Sequence, residues 1–297
     1  MSSRDFALFV LICMLWALNI VASKVVVGEM GVPPLFFAVL RSAAIALTVL
    51  PWLLPMPRPR WRIVVVGILM GGGGFALFFV GLQTASPSAA GIVGQLGVPM
   101  VTLLSIVMLG ERIRWRRGLG IALTFCGAMV VMWDPNGLEV STGLIFIAGS
   151  AFTGALGAVM MKQMEGIRPL RFQAWVGVSS AILLSALTAG LESGQLEAAR
   201  QAGWPFVAVV LFSALVVSVF AHTAYYGLIQ RYEANLIAPL TLMSPLFTIA
   251  FGIVLTGDSF DGRMAAGSAL ALLGVLIIAV RPNLAMPRAA LVRNAPE

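Results

Sequence analysis

The sequence predicts an all-α integral membrane protein, with ten transmembrane helices arranged as two inverted five-helix repeats around a central cavity. Three observations carry that expectation: the composition, an internal repeat and the distribution of positive charge. Of the 297 residues, 60% are hydrophobic and only 10% charged, and the mean hydropathy is +0.98. Soluble domains carry about 25% charged residues, so the medium for this fold is lipid.

A membrane-spanning helix needs about 20 apolar residues. Runs of that kind lie at 6–27, 34–54, 61–83, 87–110, 117–133, 143–162, 170–189, 204–229, 235–256 and 263–281. The connections between them are no longer than about 15 residues, which leaves no room for a soluble catalytic or binding domain. Chemistry is therefore expected between helices. The first run, preceded by MSSRD and followed by the small residues Ala22 and Ser23, has some features of a signal peptide. It is read as a retained span, because its counterpart GALGAVMMK at 154–162, matching WALNIVASK at 16–24, lies deep in the chain.

The repeat aligns residues 81–110 with 227–256 at an offset of 146, through Gly81/Gly227, Leu82/Leu228, Leu96/Leu242, Pro99/Pro245, Thr102/Thr248 and Leu109/Leu255. One inserted residue later it resumes with Gly110-Glu111 against Gly257-Asp258, Gly120 against Gly267 and Gly127 against Gly274. A match this long indicates duplication. It divides the chain into a first five-helix repeat at 1–134, a second at 143–281 and a short tail at 282–297. With five spans per copy, an odd number, the second copy must be inverted relative to the first. Inverted repeats are an architecture of transporters.

Charge gives the orientation. With the amino terminus inside, Arg4, Arg58, Arg60, Arg62, Arg112, Arg114, Arg116, Arg117, Lys162, Arg168, Arg171, Arg231, Arg281, Arg288 and Arg293 all fall on the cytoplasmic side. Lys24, Arg200 and Arg263 fall outside, and Arg41 lies within the second span. That bias follows the positive-inside rule, with both termini cytoplasmic in a plasma membrane. The net charge of +7 is thereby accounted for as topology, without nucleic acid as a partner.

Several classes are excluded. The spans contain no aspartate or glutamate; Glu111, Asp134 and Asp258 sit at boundaries. That disfavours capture of a permanent cation by a membrane carboxylate and removes the usual proton carrier. The tetraglycine at 71–74 has no Lys-Ser or Lys-Thr after it, so it is no phosphate loop. One histidine and no buried acid cannot supply an intramembrane hydrolase, and no metal or cofactor site is expected. Cys13 and Cys126 are read as apolar filler.

Each copy carries a proline on its fourth span, a Gly-Glu or Gly-Asp tail and a glycine-spaced fifth span. The residues are Pro99, Gly110, Glu111, Gly120 and Gly127, then Pro245, Gly257, Asp258, Gly267 and Gly274, with Trp16, Ala17, Asn19 and Lys24 in span one. This pattern resembles the EamA repeat of the drug/metabolite transporter superfamily, and most resembles the bacterial aromatic amino-acid exporters of the YddG type. The resemblance implies a ten-helix basket whose cavity is lined by spans 1, 3, 4, 6, 8 and 9, with spans 5 and 10 in packing or homodimer contacts. It also implies export and a bacterial inner-membrane location.

The candidate substrate-binding residues follow. Pro99 and Pro245 each remove an amide donor and are expected to free the carbonyls of Gln95 and Thr241, which are repeat-equivalent. Asn19 and Gln95 are amides inside apolar spans and need partners, whether across helices or in a substrate. Trp16, Phe75, Phe78, Phe79, Tyr225 and Tyr226 place aromatic surface on both sides of the midplane, for packing or for stacking on a substrate ring. His222, the only histidine, is either a proton-sensitive gate or a neutral hydrogen-bonding cavity residue. Arg41 is expected to snorkel to the interface as a structural cation. Gly71–Gly74 is expected to let a neighbouring helix approach closely, a break acting as a gating hinge being the alternative, and the series Gly91, Gly94, Gly97 has the spacing of a tight helix crossing. The expected function is export of aromatic and other neutral amino acids, or similar small metabolites, by alternating access. A lipid flippase or a passive metabolite channel of the same fold is the alternative, and none of these readings is an enzyme.

Overall fold

The structure is a computed structural model that describes residues 1–111, 113–134, 139–164, 167–232 and 234–280. Arg112, Arg281, Arg288, Arg293 and the 282–297 tail of the sequence reading lie outside the described residues. Within them the chain is helical apart from short connections and one two-residue antiparallel ladder, Trp133–Asp134 with Glu139–Val140. In chain order the helices are α1 Ser3–Glu29, α2 Pro34–Thr48, α3 Arg60–Thr84, α4 Pro87–Leu109 and α5 Trp115–Met132. They continue as α6 Thr142–Lys162, α7 Pro169–Leu191, α8 Gln195–Ile229, α9 Leu236–Thr256 and α10 Gly262–Ala279.

Eight of these, all except α2 and α5, are long and apolar enough to cross a membrane by length and composition. The two that fall short do so for local reasons. The apolar run from 34 continues to 54, but Pro51 cannot continue an α-helix; α2 stops at Thr48 and the chain passes into a 3-10 turn at Leu50–Trp52. Fifteen residues of α-helix reach about 22 Å at 1.5 Å each, below the roughly 30 Å of hydrocarbon. In α5 the first turn is Trp115-Arg116-Arg117, which dilutes an otherwise apolar helix. The eighth helix starts earlier than the apolar run at 204 because a polar segment from Gln195 precedes it, joined through Gly203 at φ 63°.

Carboxylates tie helix starts to their neighbours. Glu192, just past α7, accepts the Leu35 and Phe36 N–H groups with Oε1 and Oε2 at 2.8 and 2.9 Å, filling two of the donors that the start of α2 leaves open. Asp258, just past α9, does the same for α4, accepting the Ser88 N–H at 2.8 Å and its hydroxyl at 2.5 Å. At the other end of α1, Asp5 accepts the Tyr232 hydroxyl at 2.6 Å and lies 3.9 Å from Arg231.

Helices α5 and α10 lie backbone against backbone. A Cβ on Gly120 would meet the Gly274 carbonyl at 2.8 Å, and one on Gly127 would meet the Gly267 carbonyl at 2.6 Å. The relation is mutual: a Cβ on Gly274 would meet the Gly120 carbonyl at 2.6 Å, and one on Gly267 the Gly127 carbonyl at 2.9 Å. The packing face implied for spans 5 and 10 is thus used within the chain. Cys126 on α5 is exposed, while Cys13 is buried in α1.

Three helices widen locally into π segments: α1 at Val25–Glu29, α3 at Ile68–Gly73 and α8 at Phe212–Ala221. Two others break near their prolines. The fourth tightens to 3-10 at Gly94–Leu96, and the ninth is interrupted by a turn at Thr241 and Leu242. Such irregular backbone in lipid is tolerated where other groups satisfy the displaced hydrogen bonds.

Candidate functional site

The π segment of α8 shows how its carbonyls are satisfied. The Ser218 hydroxyl donates to the Ser213 carbonyl at 2.8 Å, and His222 Nδ1 lies 2.8 Å from the Val217 carbonyl. Both reach back five residues, the spacing of the π turn's own backbone bonds, and the Val217 carbonyl accepts the His222 backbone N–H as well. The Gln173 side chain on α7 donates from Nε2 to the Ser218 carbonyl at 3.3 Å. Polar side chains are thereby held in register on a stretch of α8 that is otherwise apolar.

Arg41 completes this cluster, and its placement corrects the expectation of snorkelling. It is 3% exposed and points into the bundle, where Nε donates to the Ser213 hydroxyl at 2.8 Å and Nη2 to the Ser218 hydroxyl at 2.6 Å. Its Cζ stands 3.8 Å from the centre of the Phe75 ring, a cation–π contact. Among the described residues no carboxylate lies within ion-pair distance of it. A cavity of about 130 Å³ opens here between α2, α3, α7 and α8, and its lining includes Arg41, Phe75, Gln173, Ser218, His222 and Tyr226.

On the other side of His222 lies an aromatic group. The Trp16 ring is 5.4 Å from His222 and 5.0 Å, edge-on, from Tyr225, which is in turn 6.1 Å from Tyr226. Trp16 Nε1 and, one turn further along α1, Asn19 Oδ1 are buried and have no hydrogen-bond partner among the described residues. Leaving such atoms unmatched costs about 1–3 kcal/mol each, so α1 presents one free donor and one free acceptor.

The remaining candidates divide. Phe78 and Phe79 continue the aromatic run behind Phe75, but Phe79 is 0% exposed, packed against Phe37 at 4.7 Å, Phe75 at 5.6 Å and Phe78 at 5.8 Å. It belongs to the closed core, not to the cavity lining. Pro99 and Pro245 are buried in α4 and α9. The Thr241 carbonyl, expected to be free, accepts the Ser244 N–H at 3.0 Å, and the Thr241 hydroxyl donates to the Ala238 carbonyl at 2.7 Å. The chain answers Pro245 with a tighter turn. Gln95 is half-buried within the 3-10 segment of α4. Beside it Gly94 has nothing within 4 Å of a built Cβ, whereas Gly91 would meet Thr248 at 3.0 Å; the expected close crossing is made at Gly91 and not at Gly94. Gly71 and Gly72 pack against Ser180 and Leu183 of α7, so close approach is their use here.

Comparison with known proteins places the chain. The model of the EamA-like transporter family matches it twice, over residues 6–133 and 141–280. The chain belongs to the EamA-like transporter family. This membrane transporter is 28% identical over 287 residues to a "Probable amino-acid metabolite efflux pump" of Salmonella typhimurium, covering 93% of this chain and 95% of that one. A protein of the same description from Escherichia coli is 26% identical over 292 residues, with 93% and 95% covered. An uncharacterized inner membrane transporter of Escherichia coli is 27% identical over 265 residues, with 84% and 80% covered. A crystal structure sharing 20% identity superimposes with a TM-score of 0.64, covering 94% of this chain and 99% of that one, so the two have the same fold.

The burial of Arg41 against Ser213 and Ser218, beside Gln173, is what reading the sequence missed in this EamA-like transporter. Two signals were there. Seven residues into α2 is about 10 Å of helix, deep for a cation at an interface, and Ser213 and Ser218 stand five apart, a π spacing on an apolar run.

Proposed function

We propose that this transporter exports amino acids, aromatic and other neutral ones, or similar small metabolites from the bacterial cytoplasm across the inner membrane by alternating access. In this reading it crosses ten times, as repeats 1–134 and 143–281 in opposite orientation, with both termini and the 282–297 tail cytoplasmic. Helices α2 and α5 complete the crossings at local cost, and Trp16, Asn19, Phe75, Gln95, His222, Tyr225 and Tyr226 face the substrate path.

The observation that carries the inverted arrangement is the glycine crossing of α5 and α10. Gly120 and Gly267 are equivalent in the two copies, as are Gly127 and Gly274, yet Gly120 meets Gly274 and Gly127 meets Gly267. Reciprocal contact of this kind is what a two-fold axis produces. The irregular segments support it as well. Shifted by 146, the π segment at 68–73 falls within that at 212–221, and the 3-10 turn at 94–96 falls on the break at 241–242. Broken helices at matched positions of two copies are a mark of transporter binding sites. The export direction and the amino-acid class rest on the relatives' descriptions.

Radiolabelled phenylalanine and threonine loaded into proteoliposomes test the reading. Efflux of either, saturable and dependent on the protein, is expected. Scrambling of labelled lipid with no movement of either amino acid would replace it by the flippase alternative. The same assay with and without an imposed pH gradient reads the coupling, and unchanged rates are expected, since the spans offer no carboxylate proton carrier.

A further inference from the structure

We propose that Arg41 is the anion-recognition residue of the cavity between α2, α3, α7 and α8, and that it selects substrates carrying a carboxylate. The inference rests on the amino-acid transport reading and deepens it.

A guanidinium at 3% exposure inside a membrane protein is costly unless its charge is answered, and an ionisable group there marks a substrate path by default. Its partners among the described residues are neutral. The hydroxyls of Ser213 and Ser218 take two of its N–H groups out of the five that a guanidinium carries in a fixed fork. Phe75 offers the negative face of its ring at 3.8 Å. These contacts fix the orientation of the guanidinium without neutralising it, and the opposite charge has to come from the cavity that it lines. A planar fork matches a carboxylate in two parallel bonds, a geometry that lysine lacks.

The cavity suits the rest of an amino acid too. At about 130 Å³ it has the room of about four water molecules, enough for a carboxylate and its neighbouring ammonium group. Because Gln173 spends Nε2 on the Ser218 carbonyl, its side-chain oxygen remains as an acceptor for that ammonium. His222 and Tyr226, also in the lining, join the cavity to the Trp16–Tyr225 aromatic group, where a side chain can lie. Arg41 thus holds the common head and the aromatic group takes the variable part.

The test is binding to the purified full-length protein, read as ligand-dependent thermal stabilisation, with phenylalanine, phenylacetate, phenylalaninamide and sodium chloride as probes. In the wild type the two acids are expected to bind about tenfold or more tightly than the amide, the worth of one charge-assisted hydrogen bond. Arg41→Gln should bring that ratio to near one, and Arg41→Lys should restore part of it. Equal binding of acid and amide by the wild type overturns the proposal whatever the variants do. So does an Arg41→Gln protein that is less stable but keeps the wild-type ratio, which would make Arg41 a staple for the α8 π segment alone. Stabilisation by chloride equal to that by phenylacetate would assign the site to a resident inorganic anion, and overturns it as well. Arg41-dependent binding of phenylalanine with no flux in proteoliposomes would uphold the site while removing the amino-acid transport reading.

Discussion

Gly127→Leu is expected to prevent accumulation of correctly folded protein. A Cβ at this position already meets backbone atoms of Gly267 and Ala271 on α10, which cannot rotate away as a flexible side chain can. Overpacking in a tight core costs about 1–3 kcal/mol, and with backbone on the receiving side the effect falls at the upper end or beyond it. Gly118 supplies a matched control on the same helix, since a Cβ built there has nothing within 4 Å. Gly118→Ala should be neutral or slightly stabilising, as alanine is the better helix former by about 0.8–1.0 kcal/mol. Size-exclusion profiles and thermal midpoints after detergent extraction read both. A monodisperse Gly127→Leu protein with a wild-type midpoint would show that α5 and α10 are not held in this crossing.

Trp16→Phe is expected to separate stability from transport. The indole ring packs edge-on to Tyr225 and beside His222, and phenylalanine retains much of that surface. What it removes is Nε1, which is buried without a partner among the described residues, so no bond seen there is lost and the thermal midpoint should hold or rise. If Nε1 serves a substrate, the KM for phenylalanine efflux should rise by about five- to tenfold, in keeping with the roughly 1 kcal/mol of one hydrogen bond. A KM equal to that of the wild type would make Trp16 a packing residue only. Trp16→Ala should lose more, since the contacts to both rings go with it.

Different parts of this molecule were legible in the sequence to different degrees, for physical reasons. Membrane helices announce themselves through composition, because a lipid-facing helix has little choice but apolar residues. Their ends were less visible: Pro51 cut α2 short inside an unbroken apolar run, and Gly203 joined a polar segment onto α8. The glycines of α5 and α10 could be read as a repeat. That they meet each other is written in neither stretch, as a contact between residues about 150 positions apart leaves no local pattern. Pro99 and Pro245 lie close to the backbone irregularities of α4 and α9, and the Thr241 carbonyl, expected to be free, already accepts the Ser244 N–H. Trp16, His222 and Tyr225 were named as aromatic or polar residues in apolar spans, and they do come together. Arg41 was misjudged because a long cation near a helix start ordinarily reaches water. Here Ser213 and Ser218, supplied by a π segment far along the chain, draw it inward.

The proposed antiparallel relation of the two copies is what alternating access would rest on, and side-specific labelling tests it most directly. In a background with Cys13→Ser and Cys126→Ser, single substitutions Ser3→Cys and Ser141→Cys place one thiol at the start of the first helix of each copy. With a membrane-impermeant maleimide on intact cells, Ser141→Cys should be labelled and Ser3→Cys should react only after the cells are opened. Reaction of both from the same side would mean that the copies run parallel, and would contradict the account.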